Sequence, residues 1–374
     1  MDGPSVLIVG GYGAFGARAA TRLARFGDCD LVLGGRNIEH AAAAARALSA
    51  SSIAQSVRSI TATRIDAGTA MADDIRALRC SVVLNASGPF QNTPPQLAQA
   101  CIEAGCHYVD LADDRAFVTG ISDLDADAKA SGVLVVAGAS TVPAISAAVI
   151  DALRPRFGTL RKVIYGISPG NSFDPGLATV QSILSYVGKP FEMRSCGGAR
   201  TVYGWQGLRR QPFGSLGARW LGDCDIPDLA LFPERFPEIE TLRFGAGVEV
   251  GMFHLGLWGV SWLVRGGLVR KPAALAGSLL ALKRRLSLLG SDAGGMVMEF
   301  AGTDIDGAPR KMIWTMVARS GHGPMIPPTP AVIVVRKLLD GRLTTRGAQA
   351  CLDLVTLAEI EGELGDLDVE FKLA

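Results

Sequence analysis

The first forty residues constrain this chain more than any other stretch. The run Ser5-Val6-Leu7-Ile8-Val9 is apolar and β-branched, as a buried parallel strand requires. It enters Gly10-Gly11-Tyr12-Gly13-Ala14-Phe15-Gly16, which holds G-x-G-x-x-G at Gly11, Gly13 and Gly16. Each glycine has a steric reason in such a turn. Gly11 permits the tight bend, Gly13 lets a pyrophosphate approach the main chain, and Gly16 lets the next helix pack close to the strand. That helix offers free N–H groups and the positive end of its dipole to phosphate. The motif alone is common, but its place between a strand and a helix marks a dinucleotide site. Tyr12, Ala14 and Phe15 belong to the same cradle.

The next strand tells which dinucleotide. It reads Leu31-Val32-Leu33-Gly34-Gly35-Arg36-Asn37. A site for NAD ends this strand in Asp or Glu, which binds the ribose 2′-hydroxyl. Here Gly35 and Arg36 hold that place. A carboxylate repels a 2′-phosphate, whereas a guanidinium binds it in a two-pronged fork. NADP is therefore the expected cofactor, with Arg36 and Asn37 at its adenosine end. Within the intervening helix, Ala19, Leu23 and Phe26 share one face, and Arg18, Arg22 and Arg25 share another.

Residues 1–140 alternate strands and helices, which implies a parallel sheet covered on both faces. Later strands are expected at 63–65, 81–85, 107–111 and 133–136, with a helix from Pro95 to Ala104. From residue 141 the alternation stops and glycine, arginine and aromatic residues become frequent, so a second α+β domain is expected over 141–329. Residues 330–374 read as a helix ended by Gly341 and a strand at 368–373, packing back on the body. The net charge of +1 gives no bias toward nucleic acid. The seven cysteines form no C-x-x-C and no metal spacing, which fits a reducing, cytoplasmic compartment and no metal. The most apolar run, 251–264, is shorter than a spanning helix and contains His254. With 48% hydrophobic residues, the composition is compatible with a homodimer.

Ligands of an open parallel sheet bind outside the carboxyl ends of its strands. Three segments reach those ends: Asn85-Ala86-Ser87-Gly88-Pro89-Phe90-Gln91, Tyr108-Val109-Asp110-Leu111, and Gly138 through Ser146. The small residues at 86–88 let main chain approach a cofactor. On the segments VGGYGAFG, GGRN, NASGPFQ, CIEAGCHYVDLADD and GASTVPAIS, the chain resembles the saccharopine dehydrogenase-like family in its NADP-binding branch. The resemblance is strong over residues 5–150 and looser beyond, through FDPGLATVQS, GHGP and KLLDGRLTTRGA. It implies a Rossmann domain followed by an α+β substrate domain, and a cofactor site that includes Ala86, Ser87, Gly88, Pro89 and Phe90. It also implies hydride transfer, with imine reduction, amino-acid dehydrogenation and lipid double-bond reduction among the family's activities. The second domain shows no residue-by-residue counterpart of the family's saccharopine-binding set, so the resemblance names a family and not a substrate.

Proton chemistry at the strand end is expected of Asp110, with Tyr108 on the same face and His107 on the other. Asp110 would hold the positive nitrogen of an iminium. Asp113 and Asp114 read as a helix start, His254 as a core residue, and His322 as part of a glycine-rich loop. Two stretches without acids, 193–222 and 250–291, are rich in Arg and Lys. They fit solvated faces, a carboxylate fork at Arg200 or Arg209, or, beside Trp258 and Trp262, a basic surface lying on a membrane. The expected activity is an NADP-dependent oxidoreductase acting on an imine or amine of amino-acid type. A small molecule is its partner. Its rivals are an enoyl or lipid reductase at a membrane surface and a non-catalytic NADP-binding scaffold.

Overall fold

The computed structural model describes residues 3–27 and 29–374. The chain divides into two units, one of Met1–Ala148 with Met325–Glu363 and the other of Val149–Pro324 with Leu364–Ala374.

The first unit begins with β1 (Ser5–Val9), α1 (Gly16–Ala24), β2 (Asp30–Gly35), α2 (Ile38–Ser49), β3 (Ser59–Arg64), α3 (Ala72–Leu78), β4 (Val82–Asn85), α4 (Gln96–Ala104), β5 (His107–Asp110), α5 (Arg115–Gly120), α6 (Asp125–Ala130) and β6 (Leu134–Ala137). The strands are parallel and lie in the order β3-β2-β1-β4-β5-β6. The order reverses between β1 and β4, so the ends of those two strands open the crevice where ligands bind. Every residue of β1, β2 and β4 is buried, as strands with helices on both faces must be. The edge strand β3 is half-exposed and covers 59–64 rather than 63–65. β2 stops at Gly35, because Asn37 leaves the strand to cap α2.

The second unit follows with α7 (Ser146–Leu153) crossing into it, then β7 (Thr159–Ser168), α8 (Gly176–Ser185), β8 (Pro190–Ser195), β9 (Gly198–Tyr203), β10 (Arg209–Pro212), β11 (Ala218–Asp223), α9 (Asp228–Arg235), β12 (Thr241–Ala246), α10 (Gly251–Arg265), α11 (Ala276–Arg285), β13 (Gly294–Thr303) and β14 (Pro309–Ala318). Strands β8 and β9 form a separate hairpin. The main sheet runs β10-β11-β12-β7-β13-β14, parallel only between β12 and β7. This mixed sheet makes the unit α+β.

The C-terminal stretch serves both sheets. After α12 (Thr329–Leu339), β15 (Gly347–Ala350) pairs in parallel with β6 and gives the first sheet a seventh strand. After α13 (Leu357–Leu364), β16 (Val369–Leu373) pairs with β14 at the edge of the second sheet. Helix α12 is buried over all of Thr329–Val335 and packs on β4, β5 and α1. Among the described residues no helix is long and apolar enough to cross a membrane.

Arg22 is not on a solvated face. It is buried in α1, and its Nε donates to Glu363 of α13 at 2.9 Å, while Arg336 of α12 reaches the other oxygen of Glu363 at 2.9 Å. Helical spacing shows which residues share a face, but not what covers it. Removing the shared carboxylate leaves two guanidiniums facing each other in an interior site. Glu363→Ala is therefore expected to lower stability by roughly 3–5 kcal/mol. Urea unfolding checks this, and a loss under about 1 kcal/mol would show that the triad is solvated.

Candidate functional site

The turn after β1 is built by exclusion of side chains. Gly10 has φ +79, a left-handed conformation that disfavours any Cβ, and a Cβ there would meet the Ala86 main chain at 2.9 Å. The bend assigned to Gly11 in the motif is thus made by Gly10. Gly11 is tight for another reason, since its Cβ would lie 2.9 Å from the Ile8 carbonyl oxygen. A Cβ at Gly16 would run into the Gly10 carbonyl oxygen, so α1 starts against the turn itself. Gly13 differs. Its Cβ position meets only the Gly10 oxygen, at 3.1 Å, and is otherwise open.

The start of α1 follows, where the Ala17 amide donates to the Gly13 carbonyl at 3.1 Å. Phe15, the N-cap of α1, makes no side-chain cap hydrogen bond, and the first turn carries no acid. The first amides of a helix have no partner within it. A group with negative oxygens satisfies them and gains from the dipole. Arg18 folds back on this turn and donates to the Ala14 carbonyl. The residues present therefore fit a pyrophosphate.

At the end of β2, the Tyr12 ring lies over Gly35, where a Cβ would clash with it. The Tyr12 hydroxyl accepts from the Asn37 amide at 3.2 Å, and its ring meets His40 edge-on at 5.7 Å. Asn37 itself accepts from His40 N at 3.0 Å, so its carbonyl is committed to capping α2. Arg36 is exposed and able to reach a phosphate from solvent. Arg64, which the sequence reading did not single out, stands opposite Gly35 at the end of β3 and is also exposed. Placing that strand at 59–64 is what reveals it.

At the end of β4, Asn85 organises the loop. Its Oδ1 accepts from Ser87 N at 3.1 Å and Ser87 Oγ at 2.5 Å, and its Nδ2 donates to the Tyr108 hydroxyl at 3.0 Å. Ala86, Ser87 and Gly88 are half-buried and Pro89 is exposed. Phe90 is buried against Phe117 of α5, with ring centroids 5.2 Å apart.

Asp110, Tyr108 and His107 are all fasteners. Asp110 is 0% exposed. Its Oδ1 accepts from the amides of Ala112 at 2.9 Å and Gly138 at 2.8 Å, which ties the turn after β5 to the turn after β6. The carboxylate has no exposed surface, and its Oδ2 has no hydrogen-bond partner. Burial raises its pKa to about 7, against the pull of those two amides. Tyr108 is buried beside it, and burial together with the Asp110 charge pushes its pKa well up. His107 accepts from Leu134 N through Nδ1 at 2.8 Å. Burial, and then the charge of Arg346, lower its pKa.

Among the candidates elsewhere, His322, Asp114 and Arg209 are engaged, whereas both ring nitrogens of His254 lack a hydrogen-bond partner. His322 accepts from Asp368 N at 2.9 Å. His254 is buried on α10, and burial brings its pKa down to about 4. Asp114 caps α5 by accepting from Phe117 N at 2.9 Å. Arg209 does not stand free as a carboxylate fork. It donates to Asp223 at 3.1 Å and to the Tyr165 carbonyl at 3.1 Å, and burial, helped by Arg243, brings its pKa down to about 10. Arg200 is exposed on β9.

Comparison with known proteins agrees with this geometry. Residues 6–136 match the family described as the saccharopine dehydrogenase NADP binding domain. No curated protein sequence matches the chain. Among solved structures, the apo, histidine-tagged saccharopine dehydrogenase (L-Glu forming) from Saccharomyces cerevisiae is similar over 100% of both chains, with a TM-score of 0.69 at 16% identity. That is a likeness of fold. The NAD complex of GenD2 from gentamicin A biosynthesis covers 81% of this chain and 71% of its own, at a TM-score of 0.37 and 16% identity. A short-chain type dehydrogenase/reductase from Mycobacterium ulcerans covers 36% of this chain and 66% of its own, at a TM-score of 0.26 and 16% identity.

Two outcomes are expected. Gly13→Ala places a methyl in the open cradle. It should leave the urea midpoint nearly unchanged and weaken NADPH about tenfold or more, the worth of one charge-assisted hydrogen bond. Gly16→Ala should instead destabilise the fold by about 1–3 kcal/mol through overpacking. Calorimetry and urea unfolding separate the two, and equal behaviour of both variants would refute the distinction. The second outcome concerns pH. The pKa of Asp110 in the folded protein lies above its unfolded value. The folded state therefore holds a proton that the unfolded chain has lost, and stability falls as pH rises from about 4 to about 7. Asp110→Asn keeps the oxygen that accepts the two amides and removes the charge. It should flatten that fall and be the more stable protein at pH 8. An unchanged pH slope would show that the carboxylate does not titrate there.

Proposed function

We propose that this chain, whose residues 6–136 match the saccharopine dehydrogenase NADP binding domain, is an NADP-dependent oxidoreductase that moves a hydride to or from an imine/amine substrate of amino-acid type. Bound NADP supplies or takes up the hydride at its nicotinamide ring. The protein binds, orients and manages protons. In the proposal, the α1 turn around Gly13 holds the pyrophosphate, Arg36 takes the 2′-phosphate with Arg64 beside it, and the 86–89 loop borders the nicotinamide.

The observation that carries the imine reading is the engagement of the proton-carrying side chains. Asp110 and Tyr108 are buried, while His107 and His322 each spend Nδ1 on a main-chain amide. Addition of hydride to a protonated C=N carbon needs no proton from the protein. The new C–H bond takes the hydride pair, the π pair becomes the nitrogen lone pair, and the cation becomes a neutral amine. Reduction of a carbonyl or an enoyl group needs a positioned acid as well. Asp110 then acts as a positioning residue that joins the turns after β5 and β6.

The test begins with calorimetric titration of NADPH and NADH, followed by NADPH oxidation with 2-oxo acids plus amines and, separately, with enoyl thioesters. Turnover with the first group only is expected. Turnover with enoyl substrates only would favour the lipid reductase, and none with either would favour the scaffold. Arg36→Glu should weaken NADPH by about 10–100-fold, as loss of a charged hydrogen bond does, and NADH much less. Equal weakening of both would remove Arg36 from the 2′-phosphate.

A further inference from the structure

Helix α10 is turned inside out. Its buried residues are His254 and Ser261, both polar. Its exposed side carries Met252, Leu255, Trp262 and Leu263, which fall within an arc of about 100° on a helix of 3.6 residues per turn. A helix on a water-facing surface has the opposite pattern. The apolar exposure continues beyond it, with Leu268 78% and Leu288 93% exposed on either side of α11. More than half of the large apolar side chains exposed among the described residues fall within 252–289. Scattered exposed leucines need no explanation, but a concentration of this kind marks an interaction surface.

Charge says what covers it. From 250 to 291 the chain has Arg265, Arg270, Lys271, Lys283, Arg284 and Arg285 and no Asp or Glu. Three of these cations are tied to the fold. Arg265 stacks on Tyr203 at 3.7 Å and donates to Gln206, Lys283 donates to the Asn171 carbonyl at 2.8 Å, and Arg284 pairs with Asp174 at 2.7 Å. Arg270, Lys271 and Arg285 are exposed among the leucines. Leucines beside uncommitted cations, with a tryptophan half out of the surface, match the boundary layer of an anionic bilayer. There the acyl region takes apolar tips, the headgroups take Arg and Lys, and the indole sits between.

We propose that residues 251–289 form a docking face for a membrane surface rich in anionic lipid. The protein lies on the bilayer and does not span it. The proposal is independent of the substrate assigned above.

Flotation of the full chain with vesicles of phosphatidylcholine alone, or with phosphatidylglycerol added, tests it. The chain should float with the anionic vesicles, much less with the neutral ones, and less again at high salt. Trp262→Glu with Leu263→Glu should abolish flotation. Neutralising Arg270, Lys271 and Arg285 to Gln should reduce partition roughly fivefold per charge. All variants should keep the NADPH affinity and unfolding midpoint of the parent. Failure of the parent chain to float with anionic vesicles overturns the proposal, and so does equal flotation on both vesicle types. Light scattering supplies the other arm. A mass twice 39.2 kDa that falls to 39.2 kDa in the Trp262→Glu, Leu263→Glu variant would mean that a second copy covers the face.

Discussion

The dinucleotide unit depends on how closely main chain approaches main chain behind Gly10. The Gly34 carbonyl accepts the amides of both Gly10 and Gly11, at 2.9 and 3.1 Å. The Ala86 main chain closes in from the β4 side, and α1 begins directly against the Gly10 carbonyl. The ends of β1, β2 and β4 therefore meet the start of α1 with no side chain between them. Without a side chain at Gly13, the turn stays open beside the start of α1, where the Ala17 amide donates to the Gly13 carbonyl at 3.1 Å. In the proposed function the cofactor chemistry follows from this steric arrangement, since the specificity proposed for Arg36 has meaning only once a pyrophosphate is seated.

A second theme is that several ionisable groups of this protein bind its own backbone. Asp110 takes two amides, His107 and His322 take one each, and Arg219 donates to the Ser168 and Ala293 carbonyls at 3.1 and 3.0 Å while pairing with Glu249. A buried polar group without a partner costs about 1–3 kcal/mol, so each of these has strong reason to stay where it is. A side chain held in this way is a poor proton shuttle but a good spacer. Asp110 shows the difference. Its raised pKa is what an active-site acid would have, and its cause is burial. A perturbed pKa becomes evidence of catalysis only together with access to a ligand.

How much of this could be read from the residues depended on where their partners lie. The inner strands β1, β2, β4, β5 and β6 were legible because buried parallel strands are unbroken apolar runs. β3 was placed too late because an edge strand such as Ser59–Arg64 mixes polar and apolar residues, and Arg64 went unnoticed with it. β15 was not legible at all. Gly-Ala-Gln-Ala has no β-branched residue, and it becomes a strand because β6 offers an open edge. Helical spacing groups Arg22 with Arg18 and Arg25 but cannot show its partner, because that carboxylate lies 341 residues further on. Asp110 was correctly placed at a strand end. Its burial left no trace in the residues, because main-chain amides are its partners and every residue but proline has one.

The route of the chain adds a constraint that the motif alone does not reveal. The cofactor turn lies entirely within residues 10–16, but the sheet that positions it is completed by β15, and the buried length of α12 packs on β4, β5 and α1. Helix α12 is apolar all round its first two turns, a pattern that fits only a helix enclosed by other elements. Without it, β4 and β5 would expose one covered face, and α1 would lose the neighbour that carries Arg336 to Glu363. The dinucleotide unit is therefore discontinuous in sequence and single in space. Its stability rests on residues that the chain supplies only after the whole of the second unit's central sheet, except β16, has been laid down. The glycine turn brings main chain against main chain, and the returning segment packs on the strands and helix that carry it.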